Sequence, residues 1–113
     1  MLCTQGGSPR SIRFDSAKNP LVCGYFYGTC NFGAQTWISA GSWDAFVAKY
    51  SSTGTPIWAE RFGGAGGDDS YGIAVDSTNY PVITGSFSGS ANFGGTILTS
   101  AGLGDMFLLR LDP

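Results

Sequence analysis

Carboxylates are the residues with the plainest chemical potential. Asp68 and Asp69 are adjacent and Glu60 precedes them closely, and a pair of acids is what glycoside hydrolysis needs. Neighbouring residues on a strand point to opposite faces, however, so Asp68 and Asp69 are badly arranged to share a substrate. The chain has no histidine, which removes Ser-His-Asp and Cys-His catalysis, the common zinc sites and the usual base near neutral pH. Gly63-Gly64-Ala65-Gly66-Gly67-Asp68 fits the opening of a calcium-binding nonapeptide repeat. The fit ends there: Ser70 stands where that repeat needs an apolar residue, and Gln5-Gly6-Gly7-Ser8 supplies no second copy to stack, so a plain turn is expected. No loop of the phosphate-cradling Gly-Lys-Ser/Thr kind opens a helix. These residues predict no catalytic machinery, no resident metal and no cofactor, with a hydrolase using Asp68, Asp69 or Glu60 as the least favoured class.

The elements that would position any site come from an internal repeat. Ile12 and Ile73, Asp15 and Asp76, Pro20 and Pro81 all lie 61 positions apart. The same shift pairs Gly24 with Gly85, Phe26 with Phe87, Asn31-Phe32-Gly33 with Asn92-Phe93-Gly94, Asp44 with Asp105 and Phe46 with Phe107, without a gap. Chance likeness between two glycine-rich stretches would not keep one register for so long. Each unit shows short apolar runs bounded by Gly, Pro, Asn and Asp, the pattern of strand, turn, strand. Four strands per unit are predicted: 11–15 (72–76), 20–27 (81–88), 44–50 (105–111) after a glycine-rich loop, and 55–62, whose counterpart is missing from the second unit. The division is a lead-in over 1–9, a first repeat over 10–64 and an incomplete second repeat over 65–113. Four short antiparallel strands at such a period make an all-β, β-propeller-like fold, in which each blade buries its faces against its neighbours.

Residues shared by the copies belong to the fold, and Asp15/Asp76 and Asp44/Asp105 are read as carboxylates accepting backbone N–H groups at turns. Residues that differ are the candidates for binding. Tyr25, Tyr27, Trp37 and Trp43 face Ser86, Ser88, Leu98 and Gly104 in the second unit. Tyr25 and Tyr27 share a strand face, and with the two tryptophans they could form a stacking platform for a sugar or another flat ligand, or pack against a neighbouring blade or protomer.

Asp44-Ala45-Phe46-Val47-Ala48-Lys49-Tyr50, Ile57-Trp58-Ala59, the run Phe62 to Asp76 and Val82-Ile83-Thr84-Gly85 resemble the bacterial β-propeller repeat known as the SBBP repeat. That resemblance implies fold rather than catalysis, and implies a secreted or cell-surface setting in large proteins. A closed propeller needs roughly four to eight blades, so under two blades implies a fragment or a ring completed by self-association.

Composition narrows the partners. Six basic against eight acidic residues give a net charge of -2, with no basic run, which argues against nucleic acid. No apolar stretch is long enough to span a bilayer as a helix, and residues 1–7 lack signal-peptide features. The three cysteines Cys3, Cys23 and Cys30 allow one intrachain disulfide at most. Cys23–Cys30 could make it, and a buried free thiol is the commoner alternative. The reading is therefore a non-enzymatic repeat module for interaction or scaffolding, a homo-oligomer with a protein or glycan ligand, the alternative being a lectin that uses the first-repeat aromatics.

Overall fold

The computed structural model of the chain describes residues 2–113 and holds twelve strands and, among the described residues, no helix. They are β1 (Leu2–Cys3), β2 (Gly6–Phe14), β3 (Pro20–Tyr27), β4 (Thr29–Asn31), β5 (Thr36–Ile38), β6 (Asp44–Tyr50), β7 (Pro56–Gly64), β8 (Asp69–Val75), β9 (Pro81–Phe87), β10 (Ser90–Phe93), β11 (Thr96–Thr99) and β12 (Asp105–Arg110). Three antiparallel sheets result, none of them closed, in the orders β11-β10-β7-β6-β3-β2, β12-β9-β8 and β1-β4-β5.

One meander occurs twice, as β2-β3-β6 and as β8-β9-β12, with a hairpin inserted before the third strand each time. Registers match across the copies: Leu21 pairs with Lys49, and Val82 with Arg110. The first strand of each meander carries a bulge at the same place, between Pro9 and Ser11 in β2 and between Ser70 and Gly72 in β8. Turns match as well. Lys18 and Asn79 hold φ of 67° and 69°, and the Asp15 and Asp76 carboxylates accept the amides of Ala17 and Asn19, and of Thr78 and Tyr80. Glycine recurs at Gly24 and Gly85 because a Cβ there would strike the carbonyl of Ser8 or of Asp69 on the bulged strand.

Three expectations are corrected. The first strand starts earlier than residue 11, so the lead-in over 1–9 contains β1 and the beginning of β2. The stretch expected as a glycine-rich loop folds in both copies as a hairpin, β4-β5 and β10-β11; its strands of three or four residues are too short to show a period. The disulfide joins Cys3 to Cys30 rather than Cys23 to Cys30, and Cys23 is a buried free thiol, the commoner alternative. Pairing explains it, since β1 lies beside β4 with Cys3 opposite Cys30, whereas Cys23 faces the second repeat. The matching pair in the second repeat is Gly64 opposite Ala91. Thus β1 holds beside β4 the place that the end of β7 holds beside β10, and the bridge fastens a two-residue strand there.

Each repeat has a phenylalanine trio. Phe26 meets Phe32 edge-on at 5.4 Å and Phe32 meets Phe46 at 4.9 Å; Phe87 meets Phe93 edge-on at 5.4 Å and Phe93 meets Phe107 at 4.8 Å. The first trio packs with residues of its own repeat and with Cys3, and the second packs against Leu21, Cys23, Ala45 and Val47 of the first repeat. Fully burying such aliphatic and aromatic side chains is worth about 1.5–3 kcal/mol each, so this face-to-face contact dominates the joining of the repeats. Ser70 adds a directional lock: its buried hydroxyl lies 2.8 Å from the Gly24 carbonyl and 3.1 Å from that of Phe46, both in the first repeat. Ser70→Ala leaves these carbonyls without that partner and is expected to lower stability by about 1–3 kcal/mol in urea unfolding.

Candidate functional site

On β3, Leu21, Cys23, Tyr25 and Tyr27 lie along one face, directed at the second repeat. At Leu21 and Cys23 the gap between repeats is filled by Ile73 and Ile83. Beyond them it opens into a cleft of about 600 Å³ whose walls include Arg10, Tyr25, Tyr27, Trp43, Asp69 and Tyr71. Tyr25 and Tyr27 are near-parallel with ring centres 6.5 Å apart, and Trp43 stands 6.0 Å from Tyr25. The Trp43 backbone is bridged to Gly67 and accepts the Asp68 amide at 2.9 Å, which holds the loop before β6 against the second repeat.

Arg10 and Tyr71 occupy the same position in the two repeats and are the residues extruded at the two bulges. A bulge re-aims its side chain, and here both enter the cleft. The Arg10 guanidinium lies 5.0 Å from the Tyr25 ring centre and 5.6 Å from that of Tyr71, and donates from Nε and Nη2 to Asp69 Oδ2 at 3.2 and 3.0 Å. Asp69 is only 4% exposed, and its Oδ1 has no hydrogen-bond partner among the described residues. Burial raises the Asp69 carboxyl above its ordinary range, and the Arg10 interaction only partly offsets this.

No protein-family model matches the chain, and no curated protein sequence does.

Of the four aromatics singled out from the sequence, the cleft gathers Tyr25, Tyr27 and Trp43. Trp37 is elsewhere: it packs on the first-repeat core, donates from Nε1 to the Ala59 carbonyl at 3.0 Å and lies beneath Arg61. Arg10, Asp69 and Tyr71 complete the cleft. Comparing positions 10 and 71 shows an arginine against a tyrosine, but only the bulge brings the two together. Glu60 lines a separate cavity with Trp58 and Phe93, so the three acids do not converge.

Asp68 turns away from Asp69 toward Asp44, across Gly63. A Cβ on Gly63 would lie 2.6 Å from the Asp44 carboxyl carbon and 2.7 Å from Asp68 Oδ2, so glycine is what allows the two acids to approach. Both are buried, each has an Oδ1 without a partner, and their other oxygens accept the amides of Ala40 and Gly64. Arg61 Nη1 lies 3.4 Å from Asp44. Burial, with the nearby Asp44 charge, pushes the Asp68 carboxyl from 3.8 up to about 6. A carboxyl whose folded pKa is raised is ionised at a penalty in the folded state above pH 6, and acidification from 6 toward 4 removes that penalty. Asp68→Asn is therefore expected to stabilise the fold at pH 8, on the order of 2 kcal/mol, and to lose that advantage near pH 4, as read from denaturation curves at the two pH values.

Proposed function

We propose that the chain is a non-enzymatic β-propeller repeat module of the SBBP kind, that it serves interaction or scaffolding, and that further copies of the same unit cover its open faces. What supports this reading is how unequally equivalent positions are buried. Ile73 of β8 is 5% exposed against the first repeat, whereas its counterpart Ile12 on β2 is 50% exposed and Phe14 beside it 58%. Conversely Ala45 and Val47 on β6 are sealed by the second repeat, while their counterparts Met106 and Leu108 on β12 are 82% and 77% exposed. The chain thus leaves equivalents of its own internal contact uncovered at each end, Ile12 and Phe14 at one and Met106 and Leu108 at the other, although Phe26, Phe32 and Phe46 are already buried within the first repeat. Adjacent apolar side chains of this size on a monomer surface mark interaction sites.

The outer edge of β12 adds to this. It pairs only with β9 among the described residues, whereas its counterpart β6 is paired on both sides, by β3 and β7. An unpaired edge flanked by exposed Met106 and Leu108 invites another strand. The Cys3–Cys30 disulfide supports an oxidising, extracytoplasmic setting.

The two ends are different surfaces, so association joins one end of a molecule to the other end of the next and builds a ring or a filament. Light scattering at micromolar concentration is expected to give more than one chain per particle. Met106→Asp with Leu108→Asp is expected to weaken association at least tenfold without lowering the melting temperature of the single chain. A well-folded particle of single-chain mass at every concentration would contradict the reading.

A further inference from the structure

We propose that the cleft between the two repeats is a binding site for a neutral saccharide, whose ring stacks on Trp43 and Tyr27 and whose hydroxyls bond to the Arg10–Asp69 pair. The cleft volume of about 600 Å³ lies within the range of small-ligand sites, and it combines aromatic walls with a few fixed polar groups in the manner of such sites. A pyranose is amphipathic in the same way. Its C–H face is apolar and packs on an aromatic ring, and its rim of hydroxyls both donates and accepts.

The polar groups match that rim. Asp69 lines the cleft; its Oδ2 is engaged twice by Arg10, while its Oδ1 is buried and unpartnered, and would accept a hydroxyl proton once a ligand turns the carboxylate toward it. An unpaired buried carboxylate oxygen is destabilising, and a hydroxyl bound to it offsets that cost. Arg10 makes its side-chain hydrogen bonds through Nε and Nη2, which leaves Nη1 for a ligand oxygen. Carboxylate and guanidinium offer acceptor and donor side by side, in a site already ordered by its ion pair.

Charge selects against the other ligands that aromatic clefts take. A quaternary ammonium seeks an aromatic cage with a carboxylate, but here the Arg10 guanidinium already lies over Tyr25 and Tyr71 and is paired with Asp69. An anion attracted to Arg10 meets Asp69 at once. A neutral polyol suffers neither repulsion. The walls come from β2, β3, β8, β9 and the loop before β6 of one chain, so the site exists in the single molecule and does not depend on association.

The test is an array of neutral and acidic oligosaccharides probed with the full chain, with calorimetry on the strongest neutral ligand and on tetramethylammonium. Binding to at least one neutral oligosaccharide is expected. It should weaken at least tenfold in Trp43→Ala, Tyr27→Ala and Asp69→Asn, and stay unchanged in Glu60→Gln, which alters the separate cavity. Ser86→Trp, which fills the cleft from β9 without deleting any proposed contact, should abolish binding while the near-ultraviolet circular dichroism of the fold is kept. This variant carries the test if Asp69→Asn does not fold. Binding to no neutral glycan, binding to acidic glycans or tetramethylammonium only, or binding undiminished in Trp43→Ala and Ser86→Trp would overturn the proposal. The native mass, measured separately, shows whether association fails independently of the cleft.

Discussion

Both faces of the β2-β3-β6 meander are apolar, and that constraint shapes the molecule. One face carries Phe26 and Phe46, and the other carries Leu21, Cys23, Ala45 and Val47. A sheet of three or four strands cannot cover two such faces by itself, so a second sheet must lie on at least one of them. Here the second repeat does so with its own phenylalanine trio. The contact is mostly non-directional, and Ser70 gives it a fixed position, its single hydroxyl proton shared between two carbonyls of the opposing sheet. Because the second repeat is built like the first, it carries the same need forward, and Met106 and Leu108 are left bare where Ala45 and Val47 are covered.

Polar groups stand where the apolar filling stops. Asp69 is buried beside the cleft, and Asp44 and Asp68 are buried together on the other side of β6, each with an oxygen lacking a partner among the described residues. Buried carboxylates without full hydrogen bonding work against stability. Their position differs from the carboxylates that serve the fold. Asp15, despite burial that favours its neutral form, is held below its ordinary pKa by the Asn19 amide and side chain, by Lys49 and by the Ala17 amide, and it is spatially remote from the cleft in register. The junction of two like sheets therefore supplies an apolar floor, with an open cleft lined by Arg10, Asp69 and aromatic rings where that floor ends.

The seven longer strands and the equivalence of Phe26, Phe32 and Phe46 with Phe87, Phe93 and Phe107 were legible in the sequence, because period-2 patterning and a constant 61-residue register depend on residue type alone. Several features were not. The β4-β5 and β10-β11 hairpins are too short to show periodicity, and the Cys3–Cys30 bridge follows from β1 lying beside β4, a contact between segments far apart in the chain. The cleft was half legible: Tyr25 and Tyr27 follow from alternation and Trp43 from its absence in the second copy. Arg10 and Tyr71 depend on bulges, which add one residue to a strand without any distinctive composition. Trp37 carries the same signal as Trp43, yet the β4-β5 hairpin folds it onto the first-repeat core.

In the proposed assembly, the contact that joins the two repeats is also the one that joins neighbouring chains. Mixing Phe14→Cys with Leu108→Cys protein and oxidising the mixture tests it most directly, since Cys23 is buried and Cys3 and Cys30 are already joined. End-to-end packing predicts a disulfide-linked pair containing one chain of each variant, with little product from either variant alone. Cross-linking of Phe14→Cys to itself, or none in the mixture, would contradict it.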